Sequence, residues 1–174
     1  MARDLVMVNG LPASGKSTLG PGLAAALGAT YLAKDRVKEA LAQAAAVEVP
    51  GVGAIAMNTV YEIAASLDAV VVVDSWWFRP RDLEHARAGL ARCGAKASAE
   101  VWCDVPASVA RSRFVARRRP ALYEDAARLA TDWPRWAAEA QPLAIGPVIR
   151  VDTGRPVDLP ALAAAVAAAL AGVQ

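Results

Sequence analysis

A chain of 174 residues, 56% hydrophobic and 21% charged, is long enough to bury one core and too apolar to stay disordered. Its 19 basic and 17 acidic residues leave a net charge of +2, which by itself gives no reason to expect nucleic-acid or membrane binding. Two cysteines, Cys93 and Cys103, are too few for a disulfide framework or a cysteine metal site, and they suit a reducing compartment.

Neither end of the chain has the pattern of a membrane or export segment. Residues 1–4 contain one basic residue and lead directly into a strand-like run, unlike a signal peptide. The alanine-rich residues 161–173 are too few to span a bilayer and follow a helix start signal. We therefore expect a cytoplasmic domain with no membrane partner.

Strand and helix patterns alternate through the first half of the chain. Residues 5–9 are uniformly apolar, as in a buried strand, and residues 16–27 have helical composition. Residues 30–32 predict a second, short strand, and Asp35 is placed to cap a helix over about 35–46. A further helix is expected over about 54–67.

Four consecutive valines mark the clearest strand, over residues 69–73, as expected for a central strand covered on both faces. A proline opens the next helix, over about 80–93. The single histidine, His85, lies in its polar pattern and is expected at the surface. Residues 99–103 predict the fourth strand.

The last third of the chain continues the alternation. A helix that starts after residue 106 cannot pass Arg119, because the following proline disfavours helical backbone before it. Residues 124–140 are helical with one break, residues 148–151 form a fifth strand, and a last helix follows Asp158. We predict a single α/β domain over residues 1–174, a three-layer sandwich with helices on both faces of a parallel sheet.

The strongest motif lies between the first strand and the first helix, where residues 10–17 match G-x-x-x-x-G-K-[ST]. Its glycines let the backbone wrap around phosphate oxygens, and the following helix adds the positive end of its dipole. Lys16 would contact the β- and γ-phosphates of ATP, and the Ser17 hydroxyl would ligate Mg²⁺. The predicted nucleotide contacts are Gly10, Leu11, Pro12, Ala13, Ser14, Gly15, Lys16, Ser17 and Thr18.

A second candidate, Asp74, ends the valine-rich strand at the edge where open α/β sheets bind ligands. Its carboxylate could act on Mg²⁺ directly or through water, or it could be an ordinary turn residue. The next residue is Ser75, so the pair of acids common in ATPase motors is absent.

Asp35 has two interpretations that the spacing leaves open. It could cap the helix that follows, or it could be the general base that takes the proton of an attacking hydroxyl. The two roles are compatible, because a carboxylate at a helix N-terminus stays ionised.

An arginine-rich segment follows the fourth strand. Arg113 and Arg117 are four residues apart, so that on one helix face their like charges would repel. A solvated helix end would also explain them, but five arginines in nine residues favour a phosphate-clamping lid over about residues 113–126.

Aromatic residues follow Asp74 directly. Trp76 and Trp77, with Phe78, could stack on a planar or sugar-like acceptor, although packing under the lid is expected for at least two of the three. Trp133 and Trp136 share a helix face and are expected to dock that helix.

Five segments occur in an order that is familiar from one family: GLPASGKST, AKDRVKEAL, VVVVDSWWFRPRDLEHARAGL, CDVPASVARSRFVARR and VDTGRP. They resemble the compact P-loop kinases of the zeta-toxin, polynucleotide 5′-hydroxyl kinase and chloramphenicol phosphotransferase group. The resemblance covers most of the chain, and the phosphate loop is its one highly specific motif.

This resemblance implies a sheet in the order 2-3-1-4-5 and transfer of the ATP γ-phosphate to a hydroxyl. It implies that Asp35 is the catalytic base and that Arg113 and Arg117 contact the phosphates. The loop after the last strand would lie against adenine, through Thr153, Gly154 and Arg155. The residues after Asp74 depart from the family pattern, so the acceptor pocket cannot be carried over.

The sequence therefore predicts an ATP- and Mg²⁺-dependent phosphotransferase whose acceptor is a hydroxyl of a small molecule such as a metabolite, sugar, nucleoside or antibiotic. Lys16, Asp35, Arg113 and Arg117 would be catalytic, and Asp35, Asp74, Trp76 and Trp77 would contact the acceptor. A polynucleotide 5′-hydroxyl kinase is the main alternative. An ATP-binding module or switch is a second, although the guanine-reading Asn-Lys-x-Asp of a nucleotide-exchange switch does not occur.

Overall fold

The structure, a computed structural model, describes residues 4–173. Its strands are β1 (Asp4–Asn9), β2 (Thr30–Ala33), β3 (Val70–Asp74), β4 (Ala97–Asp104) and β5 (Val148–Asp152). Its α-helices are α1 (Lys16–Leu27), α2 (Lys34–Ala45), α3 (Val52–Ser66), α4 (Arg79–Cys93), α5 (Ala107–Ala116), α6 (Asp125–Thr131), α7 (Trp133–Glu139) and α8 (Leu159–Ala171). A short 3-10 helix, Ala121–Tyr123, precedes α6.

All five strands are parallel and lie in the order β2-β3-β1-β4-β5. The predicted order is thus confirmed. β1 lies at the centre, where Val8 is opposite Asp74 of β3 and Val101 of β4. The carboxyl ends of β1 and β3 are therefore neighbours, and the phosphate loop and Asp74 emerge side by side.

Both faces of the sheet are covered, as the uniformly apolar strands require. In β1, Leu5 and Met7 pack against α3 and α4, whereas Val6 and Val8 pack against α1 and α8. The predicted three-layer sandwich is confirmed. Among residues 4–173, no helix combines the length and the apolar character that crossing a membrane requires.

Helices α5 to α7 form a small apolar cluster beside the end of the sheet. Trp133 and Trp136 are both buried, and the ring of Trp133 lies 5.3 Å from that of Phe114. The prediction that the two tryptophans dock their helix is confirmed. The lid predicted over about residues 113–126 covers the end of α5, the 3-10 helix and the start of α6; we use the name lid for residues 113–131, which include all of α6.

Two local predictions are wrong. Helix α5 ends at Ala116 and Arg117 is extended, so Arg113 and Arg117 do not share a helix face. Pro120 sets only an outer limit for this helix, because a proline disfavours helical backbone at the residue before it, here Arg119. Asp35 does not cap α2, which begins at Lys34 and has no side-chain bond at its N-cap, Ala33.

Candidate active site

The phosphate loop between β1 and α1 depends on two glycines with left-handed backbone. Gly10 has φ of 143° and Gly15 has φ of 100°. A Cβ atom at Gly10 would lie 2.6 Å from the Ser14 hydroxyl and 2.7 Å from the Cys103 carbonyl oxygen. Only glycine fits there, because other residues would be strained and would clash with the loop. The loop is thus folded tightly against the end of β4.

Lys16 lies under this loop and is 8% exposed. Its ammonium donates to the carbonyl oxygens of Gly10 and Leu11, both at 2.9 Å. Burial lowers the pKa of Lys16, and the nearby Asp74 carboxylate opposes this effect. A buried ammonium held mainly by carbonyl oxygens fits an anionic ligand, so the loop suits the phosphates of a nucleotide.

Ser17 and Asp74 meet at the start of α1. The Ser17 hydroxyl donates to Asp74 Oδ2 at 2.7 Å, and the Tyr31 hydroxyl donates to the same oxygen at 2.9 Å. Burial, and next the Asp74 charge, raise the pKa of Tyr31, which keeps it a donor. Two oxygens beside a phosphate loop fit Mg²⁺, which prefers oxygen ligands and keeps substrate phosphates in its shell. No sequence pattern had singled out Tyr31.

A buried polar network fixes the start of the loop. Asn9 Oδ1 accepts from the backbone amides of Gly10 at 2.8 Å and Trp77 at 3.1 Å. Its amide nitrogen donates to Glu100 Oε1 at 2.9 Å. Glu100 is fully buried in β4 and also accepts from the amides of Leu143 and Ala144, at 3.0 and 2.9 Å. This network joins β1, β4 and two loops, and no sequence pattern indicated it.

Replacing Glu100 by alanine should destabilise the fold by about 2–4 kcal/mol, because the change leaves buried amide donors without an acceptor. Urea unfolding followed by far-UV circular dichroism measures the difference. Glu84→Ala is the control, since Glu84 is 80% exposed and paired only with Arg87 at the surface of α4. Equal unfolding midpoints for the two variants would contradict the structural role of Glu100.

Asp35 lies across the cleft from the loop, with a half-exposed side chain. Arg119 of the lid donates to Asp35 Oδ2 at 3.1 Å and to both oxygens of Asp125, at 2.6 and 3.0 Å. The Arg119 guanidinium also stacks 3.7 Å from the centre of the Tyr123 ring. The arginine run before Pro120 was the available signal for Arg119, but nothing in the sequence identified its partner.

The two predicted lid arginines reach the cleft from separate segments. Arg113, in α5, donates from both terminal nitrogens to the Thr153 carbonyl oxygen at 3.4 Å. Arg117 donates to Asp125 at 3.3 Å and lies 4.0 Å from the centre of the Phe114 ring. Burial, and next the Arg119 charge, lower the pKa of Arg117. Both arginines border the same space as Lys16.

The loop after β5 contacts the phosphate loop directly. The Thr153 hydroxyl donates to the Ser14 carbonyl oxygen, and the Thr153 amide donates to the Asp104 backbone carbonyl oxygen at 3.2 Å. Asp152 accepts from the Gly154 amide and from Arg155, both at 2.8 Å. Of the three predicted adenine-side residues, Thr153 contacts the phosphate loop, whereas Gly154 and Arg155 are bound to Asp152.

One cleft of about 1500 Å³ brings most of the predicted residues together. The predicted residues that line it are Pro12, Ala13, Gly15, Lys16, Ser17, Thr18, Asp35, Asp74, Trp76, Trp77, Arg113, Arg117, Thr153 and Arg155. Gly10, Leu11, Ser14 and Gly154 do not line the cleft and act through the backbone around it.

The aromatic residues after Asp74 divide between core and cleft. Trp77 and Phe78 are 2% and 3% exposed, and Trp76 packs edge-on against Trp136 at 6.1 Å.

The surface position predicted for His85 is wrong. Its ring lines the cleft and lies 5.9 Å from that of Tyr61.

Solved structures share this fold across nearly the whole chain. One from Chloroflexus aurantiacus, described as a candidate kinase, is 25% identical, with a TM-score of 0.76 and coverage of 98% of this chain and 97% of that chain. A gluconokinase from Sinorhizobium meliloti is 22% identical, with a TM-score of 0.58 and coverage of 98% and 91%. A shikimate kinase from Acinetobacter baumannii, in complex with shikimate, is 16% identical, with a TM-score of 0.53 and coverage of 96% and 92%.

No curated protein matches the chain. The family described as AAA domain matches residues 5–140, which run from β1 through α7 and include the phosphate loop, Asp35, Asp74 and the lid. Because this match spans most of the chain, the protein belongs to the AAA domain family.

Proposed function

We propose that this protein is an ATP-dependent kinase that transfers the γ-phosphoryl group to a hydroxyl of a small molecule. The observation that carries the proposal is the single cleft that contains the Lys16 ammonium, the Asp35 carboxylate and the lid guanidiniums. A phosphate cradle, a base and cations that face the transferred group are the components that phosphoryl transfer requires.

In the proposed reaction, the acceptor hydroxyl gives its proton to Asp35 as its oxygen bonds to the γ-phosphorus. The bond between that phosphorus and the bridging oxygen breaks, and ADP leaves with the electron pair. Lys16, Arg113 and Arg117 stabilise the charge on the transferred group, and the lid keeps water from competing as the acceptor. Asp35 Oδ1 is the oxygen available to the acceptor, since Oδ2 accepts from Arg119.

Ser17 and Asp74 would hold Mg²⁺ next to the phosphates. When bound, Mg²⁺ supplies charge neutralisation on the β- and γ-phosphate oxygens. The Tyr31 hydroxyl helps to fix the Asp74 carboxylate toward Ser17, because both hydroxyls donate to the same oxygen. Thr153, Gly154 and Arg155 would border the adenine, as the position of their loop beside Ser14 supports.

The small-molecule acceptor is supported by the neighbours named gluconokinase and shikimate kinase, which share the fold. The finer resemblance to the zeta-toxin, polynucleotide kinase and chloramphenicol phosphotransferase group stays a prediction. So does the alternative 5′-hydroxyl kinase activity, which salt-sensitive binding to an oligonucleotide would favour.

A screen of ADP release with hydroxylated acceptors tests the proposal. We expect one class of compound to stimulate ADP release well above the rate without acceptor, with one phosphorylated product formed per ADP. Product detection by mass spectrometry checks that stoichiometry. The same slow hydrolysis with every compound, including a 5′-hydroxyl oligonucleotide, would instead indicate an ATP-binding module without transfer.

A further inference from the structure

We infer that the acceptor carries an anionic group, a carboxylate or a phosphate, which Lys34 and Lys38 bind beside the reacting hydroxyl. This inference rests on the proposed function and specifies its substrate class. The two lysines are one turn apart in α2, and both line the cleft. Lys34 precedes Asp35 in the chain, so a group bound there would lie next to the hydroxyl that Asp35 deprotonates.

Lys38 is the more deeply buried of the two, at 8% exposure. Its ammonium donates to the Leu122 carbonyl oxygen at 3.2 Å and lies 4.4 Å from the centre of the Tyr123 ring. Within residues 4–173 it forms no ion pair with a carboxylate. Burying an ammonium against one carbonyl and a ring is costly unless an anion joins it.

Lys34 shares its only carboxylate partner within the described residues. Its ammonium lies 3.7 Å from Asp35 Oδ1, and Asp35 Oδ2 is bound to Arg119 at 3.1 Å. One carboxylate thus faces two cations, and in the proposed reaction it must also receive a proton. Arg119 is also bound to Asp125, but Arg117 shares that carboxylate, so within the described residues three cations face two carboxylates here.

Two neighbouring arginines have carboxylate partners of their own. Arg81 is bound by both oxygens of Asp82 at 2.7 Å, and Arg128 lies 3.5 Å from Asp132. Of these four cations, Lys34 and Lys38 are the two that lack a carboxylate of their own within residues 4–173. Lysine also suits this role, because its ammonium has three N–H groups that can donate to anionic oxygens in several directions.

The electrostatics of the lysines agree with this geometry. Burial lowers the pKa of Lys34 and of Lys38, and Lys34 lowers that of Lys38 further. Arg81 and Arg128 add to the lowering at Lys34, whereas the Asp35 charge opposes it at both lysines. A bound anion would reverse these shifts by favouring the charged ammonium groups.

The cleft as a whole has more positive than negative side chains. Among residues 4–173, nine Lys and Arg residues line it, against five Asp and Glu residues. The triphosphate cancels part of this surplus, but Mg²⁺ already neutralises much of the nucleotide charge. A hydroxy acid or a phosphorylated polyol would balance the remainder, whereas a neutral polyol or a cationic aminoglycoside would leave Lys38 unpaired.

Calorimetric titration of matched compounds tests this inference. The pairs are gluconate and glucitol, shikimate and its methyl ester, and glucose 6-phosphate and glucose, each titrated into the protein with ADP and Mg²⁺ present. We expect at least one anionic member to bind at least tenfold more tightly than its neutral partner. The carboxylate and phosphate pairs together distinguish the two sources of negative charge.

Lys34→Met removes the charge without removing a contact to the lid. We expect it to raise the dissociation constant of the preferred anion at least tenfold and to leave that of ATP unchanged. Lys38→Met should also weaken binding of the same anion. If this variant disturbs the docking of the lid as well, that loss would appear separately as weaker ATP binding. Lys96→Met is the matched control, because Lys96 is exposed and lies outside the cleft.

The outcomes separate this inference from the proposed function. If an anion binds through Lys34 but no phosphorylated product forms from any compound, the kinase proposal fails and the anion site stands. If the neutral compounds bind and react as well as the anionic ones, or if Lys34→Met leaves the affinity for both unchanged, the inferred anion site is wrong and the kinase proposal stands.

Discussion

The Asp35→Asn variant should lose phosphoryl transfer and keep ATP binding. Asparagine has the size of aspartate but cannot take the proton of the acceptor hydroxyl. Loss of a general base typically slows turnover by about 100- to 10,000-fold, and we expect an effect in that range. The phosphate loop does not contact Asp35 through a hydrogen bond, so the affinity for ATP should be unchanged within the error of calorimetry.

Two further variants separate catalysis from lid docking. Glu39→Gln changes a carboxylate in the same helix that binds the Tyr123 hydroxyl at 2.8 Å but does not line the cleft. It should retain most of the activity. Arg119→Met removes the contact between the lid and Asp35. If this variant loses as much turnover as Asp35→Asn, the loss in Asp35→Asn is due to the lost lid contact and not to the lost base. Full turnover in Asp35→Asn would show that Asp35 is not the base.

Local patterns were sufficient to predict the fold. The run of valines at 70–73 predicted a strand covered on both sides, and the strand–helix alternation then indicated parallel connections. The phosphate loop was equally local, since residues 10–17 are contiguous and each has its own physical requirement. The sheet order came from the family resemblance, and the structure agrees with it.

Contacts between distant residues could not be predicted in this way. Arg119 and Asp35 are 84 residues apart, and the Tyr31 and Asp74 contact spans 43 residues. Which arginine of a run reaches a given carboxylate depends on where the helix ends, and α5 ends earlier than its composition indicated. For the same reason the role of Glu100 could not be predicted. Its buried carboxylate is recognised only when the amides that donate to it, from distant parts of the chain, are located in the structure.

Lys16→Met should lose both ATP binding and turnover. The ammonium is the charged donor that the loop offers to the β- and γ-phosphates, and hydrogen bonds to charged groups contribute about 1.5–3 kcal/mol each, which corresponds to about 10- to 100-fold in affinity. Turnover should fall by about 100- to 1000-fold, as when other donors to a developing charge are removed. Calorimetry with ATP and the ADP-release assay measure the two effects.

The same substitution should not destabilise the protein in the absence of nucleotide. Lys16 is buried with mainly carbonyl partners, so folding removes its charge from water at a cost in free energy. A methionine at this position carries no charge and does not incur that cost. We expect the thermal midpoint without ATP to be equal to or above that of the wild type, and the rise that ATP produces in the wild type to disappear. Lys96→Met, exposed on the surface, should change neither value.

The difference in stability between Lys16→Met and the wild type should depend on pH in a defined direction. Burial holds the pKa of Lys16 below its ordinary value of 10.5, so the unfolded chain binds the proton more tightly than the folded one. The destabilisation is fully present below the folded-state pKa and is relieved as the pH rises toward 10.5. The stability advantage of Lys16→Met over the wild type should therefore shrink at alkaline pH. If Lys16→Met were clearly less stable than the wild type at neutral pH, Lys16 would be a residue that stabilises the loop. That result would contradict the expectation that Lys16 destabilises the folded protein and serves to bind phosphate.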